Sequence, residues 1–323
     1  MKNRLLPWVV LLSCCISCKK NGSSSQSPTT PTSVSTDSWK QKASIPNPAP
    51  PDGRGIGIGF TIGNFGYMGL GTDNGTDFAD LYRYDPAADT WTKMASLDTG
   101  LESSVCLVIN NKAYAGTGES RLLADYTNHW YEYDPSTNVW TRKADFPGTK
   151  RESALGIAIG GKGYVGLGYA PGGKLLYDLW QYDPATDKWS QQANFSDTTA
   201  CPWYPVAFTL DNITAYVGGS LPGTDVNLVW QYNPVTDHWT QKNNFPGKQM
   251  LLSGAFVVNG TGYIMGDGNS NWKYDPAADT WSQVSFFGSR IGGSTFSIGG
   301  NGYYCGGTDS AGNPHTDLWQ YTP

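Results

Sequence analysis

Short apolar runs separated by tight turn signals cover most of the chain. Typical runs are Gly55 to Ile62, Ser153 to Ile159 and Ser253 to Val258, each followed by a two-residue turn such as Gly160-Gly161 or Asn259-Gly260. Runs of this length bounded by Gly and Asn indicate strands joined in hairpins. Because no segment carries a long apolar stripe at helical spacing, the pattern predicts an all-β protein.

A longer sequence pattern, which spans several of these strands, also repeats along the chain. An aromatic, one spacer and a Tyr are followed in most copies by Asp-Pro, with a Trp seven residues after the Tyr. The repeating tyrosines are Tyr84, Tyr133, Tyr182, Tyr232, Tyr274 and Tyr321. A period of roughly fifty residues with Gly and aromatic punctuation predicts a β-propeller with one four-stranded blade per repeat.

The two ends of the chain complement each other. The sixth copy stops at Pro323 before its Trp, whereas the segment from Thr36 to Ala43 matches the stretch from Ala88 to Ala95 that carries Trp91. We therefore expect the N-terminal strand to complete the last blade and close a six-bladed ring over residues 37–323.

From Ser38 to Pro323 the repeat resembles the Kelch family of β-propellers. The resemblance rests on the Gly-Tyr of the second strand and on the fixed Tyr and Trp. The double glycine after the second strand is present at Gly218-Gly219 and Gly306-Gly307 but varies elsewhere. WD-repeat propellers are the alternative, but the chain has no Trp-Asp dipeptide.

The N-terminus predicts export. Lys2 and Arg4 precede an apolar run too short to span a bilayer, so residues 1–17 are interpreted as a signal peptide. Ile16-Ser17-Cys18 resembles a bacterial lipobox, with Cys14 as the alternative lipidation site. Residues 18–36 are rich in Ser, Thr and Pro and predict a flexible tether. The expected location is the bacterial cell envelope, at the outer membrane, with the lipid as the membrane contact.

The net charge argues against one class of partner, and the cysteines indicate the state of the thiols. The net charge of the full chain is −5, which disfavours nucleic acid. Cys106, Cys201 and Cys305 predict buried thiols with no disulfide framework. The partners predicted are a glycan or an envelope protein.

Candidate binding residues lie at the start of the first strand of each repeat, which is expected to be the innermost strand of its blade. The loops that join the second and third strands lie beside this point and vary in length. Binding residues concentrate on variable loops held by a rigid scaffold. Arg54, Arg151 and Arg290 share one register there, thirteen residues before the second-strand Tyr. Kelch proteins often use arginines near this point for carboxylate ligands, which a guanidinium can bind with two hydrogen bonds. The alternative is that these arginines bond carbonyls at strand ends.

The arginines and nearby residues form a predicted binding site at the opening of the ring, which we call the mouth. Its expected ligand-binding residues are Arg54, Arg151, Arg290, Glu102, Glu152, Trp203 and Tyr204. Such a mouth can hold a sugar, an acidic sugar or a peptide, which favours a non-catalytic binding module.

An enzymatic alternative is a sugar mutarotase, since exported sialic-acid mutarotases resemble this chain. Glu102 and Glu152 with Arg151 are then the candidate catalytic residues. Galactose oxidase also has a Kelch-type propeller, but its copper ligands have no counterpart in this chain. The sequence therefore predicts no cofactor and no metal.

Overall fold

The computed structural model describes residues 37–46, 53–73, 75–197, 203–220, 227–247, 252–265 and 271–323. The predicted signal peptide, tether and lipidation site lie outside these residues, as does Cys201. Within them the regular elements are β-strands, and no helix is long and apolar enough to cross a membrane. Cys106 and Cys305 are free thiols.

The strands form six antiparallel four-stranded sheets, which are the blades. Blade 1 comprises Ile58–Ile62, Phe65–Gly69, Leu81–Asp85 and Thr90–Met94. Blade 2 comprises Val105–Ile109, Lys112–Gly116, Trp130–Asp134 and Val139–Arg142. Blade 3 comprises Leu155–Ile159, Lys162–Gly166, Leu179–Asp183 and Lys188–Gln192. Blade 4 comprises Trp203–Leu210, Thr214–Ser220, Asn227–Asn233 and His238–Lys242. Blade 5 comprises Gly254–Val258, Thr261–Met265, Asn271–Asp275 and Thr280–Val284. Blade 6 comprises Ser294–Ile298, Asn301–Cys305, Leu318–Thr322 and Ser38–Lys42.

The innermost strands of successive blades pack against one another, and that of blade 6 packs against that of blade 1. The outermost strand of blade 6 is the N-terminal Ser38–Lys42, with Trp39 paired to Tyr321. The predicted six-bladed all-β propeller, closed by the N-terminal strand, is therefore confirmed.

Two of the loops between the second and third strands each contain a short two-stranded antiparallel ribbon. In blade 2, Glu119–Ser120 pairs with Asp125–Tyr126, and in blade 3, Tyr169–Ala170 pairs with Lys174–Leu175. Backbone bridges connect these loops to the residues just before the inner strands, for example Glu102 to Glu119 and Glu152 to Tyr169. The long variable loops and the starts of the inner strands therefore share one face of the disc.

The repeating residues form a latch between consecutive blades. In blade 3 the Tyr182 hydroxyl donates to Asp187 over 2.7 Å, and Asp187 also accepts the backbone N–H of Ala144 in blade 2 over 3.0 Å. The indole of Trp189 donates to the Ala144 carbonyl over 2.9 Å. The equivalent indole bonds join Trp91 to Ala43, Trp140 to Ala95, Trp239 to Ala193, Trp281 to Asn243 and Trp39 to Ser285. The repeating Trp residues, together with the Asp or Asn that accepts from the repeating Tyr, therefore form the hydrogen bonds that join one blade to the next.

The hydrophobic core lies between the blades. In the inner strands, buried and half-buried residues alternate, as in Leu155–Ile159, since successive side chains point to opposite faces. Aromatic pairs fill the space next to them, such as Phe60 stacked on Tyr67 with centroids 4.8 Å apart. Glycines such as Gly66 permit this packing, because a Cβ there would meet the ring of Phe296 at 2.3 Å.

Candidate functional site

A cavity of about 180 Å³ lies where the six inner strands begin, at the centre of the variable-loop face. Every blade contributes two consecutive residues to its wall. The first residue of each pair, in blade order, is Ile56, Ser103, Ser153, Tyr204, Leu252 and Gly292, and the residue after each completes the lining. A cavity of this size has room for several water molecules or for a small ligand.

The first residue of each pair, a set that we call the mouth ring, has a left-handed backbone. All six have φ between +46° and +67°, although only Gly292 is a glycine. Within this ring the N–H of Ile56 donates to the Gly292 carbonyl over 2.6 Å, and that of Ser103 donates to the Ile56 carbonyl over 3.1 Å. The Ser153 N–H donates to the Ser103 carbonyl over 2.9 Å. These bonds fix the strained conformation and link neighbouring blades around the cavity.

Serine hydroxyls give the cavity a polar side on blades 2 and 3. The hydroxyl oxygens of Ser104 and Ser153 are buried without a hydrogen-bond partner among the described residues, as is that of Ser253 in blade 5. Ser103, beside them, is 8% exposed and also lines the cavity. Buried polar groups are nearly always hydrogen-bonded in folded proteins, so these hydroxyls indicate a place where water or a ligand binds.

Carboxylates flank this polar side. Glu102 and Glu152 precede Ser103 and Ser153 in sequence, and the Tyr126 hydroxyl donates to Glu152 over 2.7 Å. Burial raises the pKa of Glu102 to about 7; the nearby charge of Arg121 opposes the effect of burial, and those of Asp77, Glu119 and Glu152 add to it. Burial also raises the pKa of Glu152, partly offset by the Tyr126 hydrogen bond. A protonated Glu102 is therefore accessible near neutral pH.

Arg121 is the cation next to these carboxylates. It lies at the tip of the blade 2 ribbon, where its guanidinium contacts Asp77 at 2.6 Å and Glu102 at 3.5 Å. Its backbone N–H also donates to Asp77. Arg121 therefore joins the loops of blades 1 and 2, and its charge is already balanced within the protein.

Tyr204 supplies an aromatic surface on the next blade. Its ring lies 5.5 Å from that of Tyr169, and burial followed by the charge of Glu152 raises the pKa of its phenol. A β-bulge between Trp203 and Val206 turns this part of the strand. The side chain of Trp203 lies outside the description of the structure, so its predicted ligand contact stays a prediction.

The three predicted arginines occupy equivalent places inside their blades. The Arg54 guanidinium is 2% exposed and binds both oxygens of Asp80, at 2.6 and 3.0 Å. Arg151 is fully buried and binds both oxygens of Asp178 at 2.7 Å, with a further bond to the Leu167 carbonyl.

Arg290 is more open, with 15% of its side chain exposed, and it contacts Asp317 at 3.1 Å and His315 at 3.2 Å. The shared geometry favours the structural alternative for Arg54 and Arg151, whose guanidinium groups face aspartates instead of the cavity. A ligand contact by any of the three stays a prediction.

The described residues contain no cluster of three or more His, Cys, Asp or Glu side chains arranged to hold a metal ion. His129 contacts Tyr131, and His315 contacts Asp309 and Arg290. These histidines serve local hydrogen bonding.

Several mouth residues were not identified from the sequence: the serines of the lining, Glu119, Arg121 and Tyr126. Their positions depend on the ribbons and on the left-handed ring, neither of which has a clear signature in the repeat. The register gives the position of the lining serines, because the mouth-ring residue lies eleven residues before the second-strand Tyr in every blade except blade 4, but it does not indicate their left-handed backbone.

No protein-family model and no curated protein matches this sequence. Among solved structures, the fold is similar to that of YjhT, with a TM-score of 0.67. That alignment has 15% sequence identity and covers 84% of this chain and 96% of the other. At this identity the likeness shows the propeller fold alone.

Proposed function

We propose that the protein is a non-catalytic glycan-binding module that holds one sugar unit in the central cavity. The observation that carries this proposal is the lining itself, in which all six blades contribute and the serine hydroxyls of blades 2 and 3 have no partner among the described residues. Small-ligand sites combine an apolar surface with a few placed polar groups.

The lining combines polar and apolar groups that suit a sugar ring. Ser103 and Ser153, with Glu102 and Glu152 beside them, can bond hydroxyl groups. In blades 1 and 5, Ile56 and Leu252 offer apolar surface that suits the C–H groups of the ring, and Ser253 beside Leu252 adds a further hydroxyl. A sugar bound in this orientation satisfies the buried hydroxyls and covers apolar surface at the same time.

A glycan array followed by saturation-transfer NMR tests the proposal. Removing the hydroxyls with Ser104→Ala and Ser153→Ala together should weaken binding at least tenfold, because two hydrogen bonds to the ligand are lost. Asp275→Asn is the matched control, since it lies in a turn on the opposite face and the equivalent position of blade 4 is already Asn233. Binding that survives the double change intact, or no glycan binding at all, would refute the proposal.

The second candidate is a sugar mutarotase, and the carboxyl group of Glu102 with its pKa of about 7 favours it. A protonated Glu102 can donate to the ring oxygen while the carboxylate of Glu152 removes the proton of the anomeric hydroxyl. The bond between the anomeric carbon and the ring oxygen then breaks and gives the open-chain aldehyde. Reversing both transfers on the other face closes the ring, with no net change in protons.

Anomer exchange followed by NMR separates the two functions. The mutarotase candidate predicts faster exchange of a bound sugar, lost in Glu102→Gln while binding is kept. If a sugar binds but its anomers exchange no faster than in free solution, the protein is a binding module and not a mutarotase.

We further propose that Cys18 carries a lipid that holds the propeller at the cell envelope. The lipobox-like Ile16-Ser17-Cys18 supports this, followed by the Ser/Thr/Pro-rich segment. Cys18→Ser should release the protein from membranes and abolish its labelling by a fatty acid, while Cys14→Ser should change neither. The opposite pattern would assign the lipid to Cys14. An envelope protein is the partner to test if no glycan binds.

A further inference from the structure

Resting on the proposed function, we propose that the central cavity selects uncharged or amino sugars and rejects sugars that carry a carboxylate. Of the ligands expected from the sequence, a sugar, an acidic sugar or a peptide, this proposal disfavours the acidic sugar. The inference rests on which charges lie beside the cavity and which are enclosed in the blades.

The acidic groups lie beside the cavity lining, because Glu102 and Glu152 immediately precede the lining residues Ser103 and Ser153. Glu102 keeps 12% of its side chain exposed. Burial is the main cause of its raised pKa; the charge of Arg121 opposes this, and the charges of Asp77, Glu119 and Glu152 add to it. The Glu152 carboxylate faces Tyr126 and also influences Tyr204, which lines the cavity. A sugar carboxylate bound here would meet several negative charges at short range in a partly buried site, where repulsion is stronger than in water.

The arginines already have carboxylate partners, including the more open Arg290, which keeps 15% of its side chain exposed and contacts Asp317 at 3.1 Å. Arg54 and Arg151 are buried and hold Asp80 and Asp178 with two hydrogen bonds each. Arg121 contacts both Asp77 and Glu102, so a bound anion would have to compete with two carboxylates for its guanidinium.

The uncharged groups of the lining point to the same ligand class. Ser103 is 8% exposed, and no hydrogen bond from its hydroxyl to the described residues is found, while the buried hydroxyls of Ser104 and Ser153 also have no partner there. Hydroxyl groups bind hydroxyl groups as both donors and acceptors, so they match a neutral sugar without needing a charge. An ammonium group in place of one hydroxyl would gain from the neighbouring carboxylates.

Three sugars with the same ring test this inference: glucose, glucosamine and glucuronate. We expect glucose and glucosamine to bind at pH 8 and glucuronate to bind at least tenfold more weakly, as free sugars by saturation-transfer NMR and as terminal units on an array. The double variant Glu102→Gln, Glu152→Gln should bring glucuronate to within about threefold of glucose. Asp275→Asn, which removes one negative charge from the opposite face, should leave the discrimination unchanged.

The outcomes separate this inference from the proposed function. Glucuronate binding as tightly as glucose overturns the charge selection and leaves a glycan-binding site in place. An unchanged preference in the double variant also overturns it, because the carboxylates would then not be the cause. Absence of binding by all three sugars and by the array overturns the proposed function and this inference together.

Discussion

The latch between blades offers a matched pair of positions for measuring what one hydrogen bond contributes to the ring. Tyr182 and Tyr133 are both fully buried and occupy the same register in adjacent blades. The Tyr182 hydroxyl donates to the carboxylate of Asp187 over 2.7 Å, whereas that of Tyr133 donates to the neutral amide oxygen of Asn138 over 2.9 Å.

Replacing either tyrosine with phenylalanine removes one hydroxyl and keeps the ring in its packing site. A hydrogen bond to a charged group contributes about 1.5–3 kcal/mol and one between neutral groups about 0.5–1.5 kcal/mol. Both acceptors keep a second bond, from the N–H of Ala144 to Asp187 and from that of Ala95 to Asn138. We therefore expect Tyr182→Phe to lower the free energy of unfolding by about 2 kcal/mol and Tyr133→Phe by about 1 kcal/mol.

Urea denaturation at pH 7, followed by tryptophan fluorescence, measures both losses. The indole bonds of Trp189 and Trp140 to the preceding blade are equal at 2.9 Å, so they do not bias the comparison. An equal or larger loss in Tyr133→Phe would contradict the assignment of the difference to the charge of Asp187. Losses below about 0.5 kcal/mol in both would show that the hydroxyls do not hold the blades together.

Two further predictions concern buried charge. Arg151→Ala leaves the carboxylate of Asp178 with the Trp180 indole but without its cationic partner inside blade 3, and should cost about 3–5 kcal/mol in the free energy of unfolding. Arg142→Ala, which breaks the exposed pair with Asp145, should cost less than about 1 kcal/mol, and equal losses by urea denaturation would contradict the structural role. Glu102→Gln should stabilise the protein at pH 8 by on the order of 1–2 kcal/mol, after allowance for solvent screening. Because the folded pKa of Glu102 is raised to about 7, the parent loses stability as pH rises from about 4.5 to 7, and the advantage of Glu102→Gln should disappear below that range in thermal melts.

The architecture was predictable because each repeat signals its own pairing. The seven-residue spacing from Tyr182 to Trp189 places the two residues directly opposite each other across a tight turn. Trp39 meets Tyr321 in the same way, although the two lie at opposite ends of the chain. Local spacing was therefore sufficient to predict both the blades and the ring closure.

The register of the arginines alone does not define their role, because it depends on aspartates elsewhere in the same blades. Asp80, Asp178 and Asp317 each lie four residues before a repeating Tyr, in the same three blades that carry Arg54, Arg151 and Arg290. In blade 2 the corresponding residues are Leu101 and His129, with neither the arginine nor the aspartate. The joint presence of Arg and Asp is the sequence signature of an ion pair within a blade.

The left-handed backbone of the mouth ring could not be predicted from the repeat, although it positions the side chains that line the cavity. Non-glycine residues adopt a left-handed backbone at a cost of order 1–3 kcal/mol each, and no local signal in Ile56, Ser153 or Leu252 indicates it. Glycine, as at Gly292, would relieve that cost but would remove the side chain that lines the cavity. The ring holds these residues in place through hydrogen bonds such as that from Ile56 to Gly292, so the strain is maintained where side chains face the cavity. A purely structural ring could use glycine at every blade, and its use of serine, tyrosine and aliphatic side chains instead supports recognition of a ligand at this point.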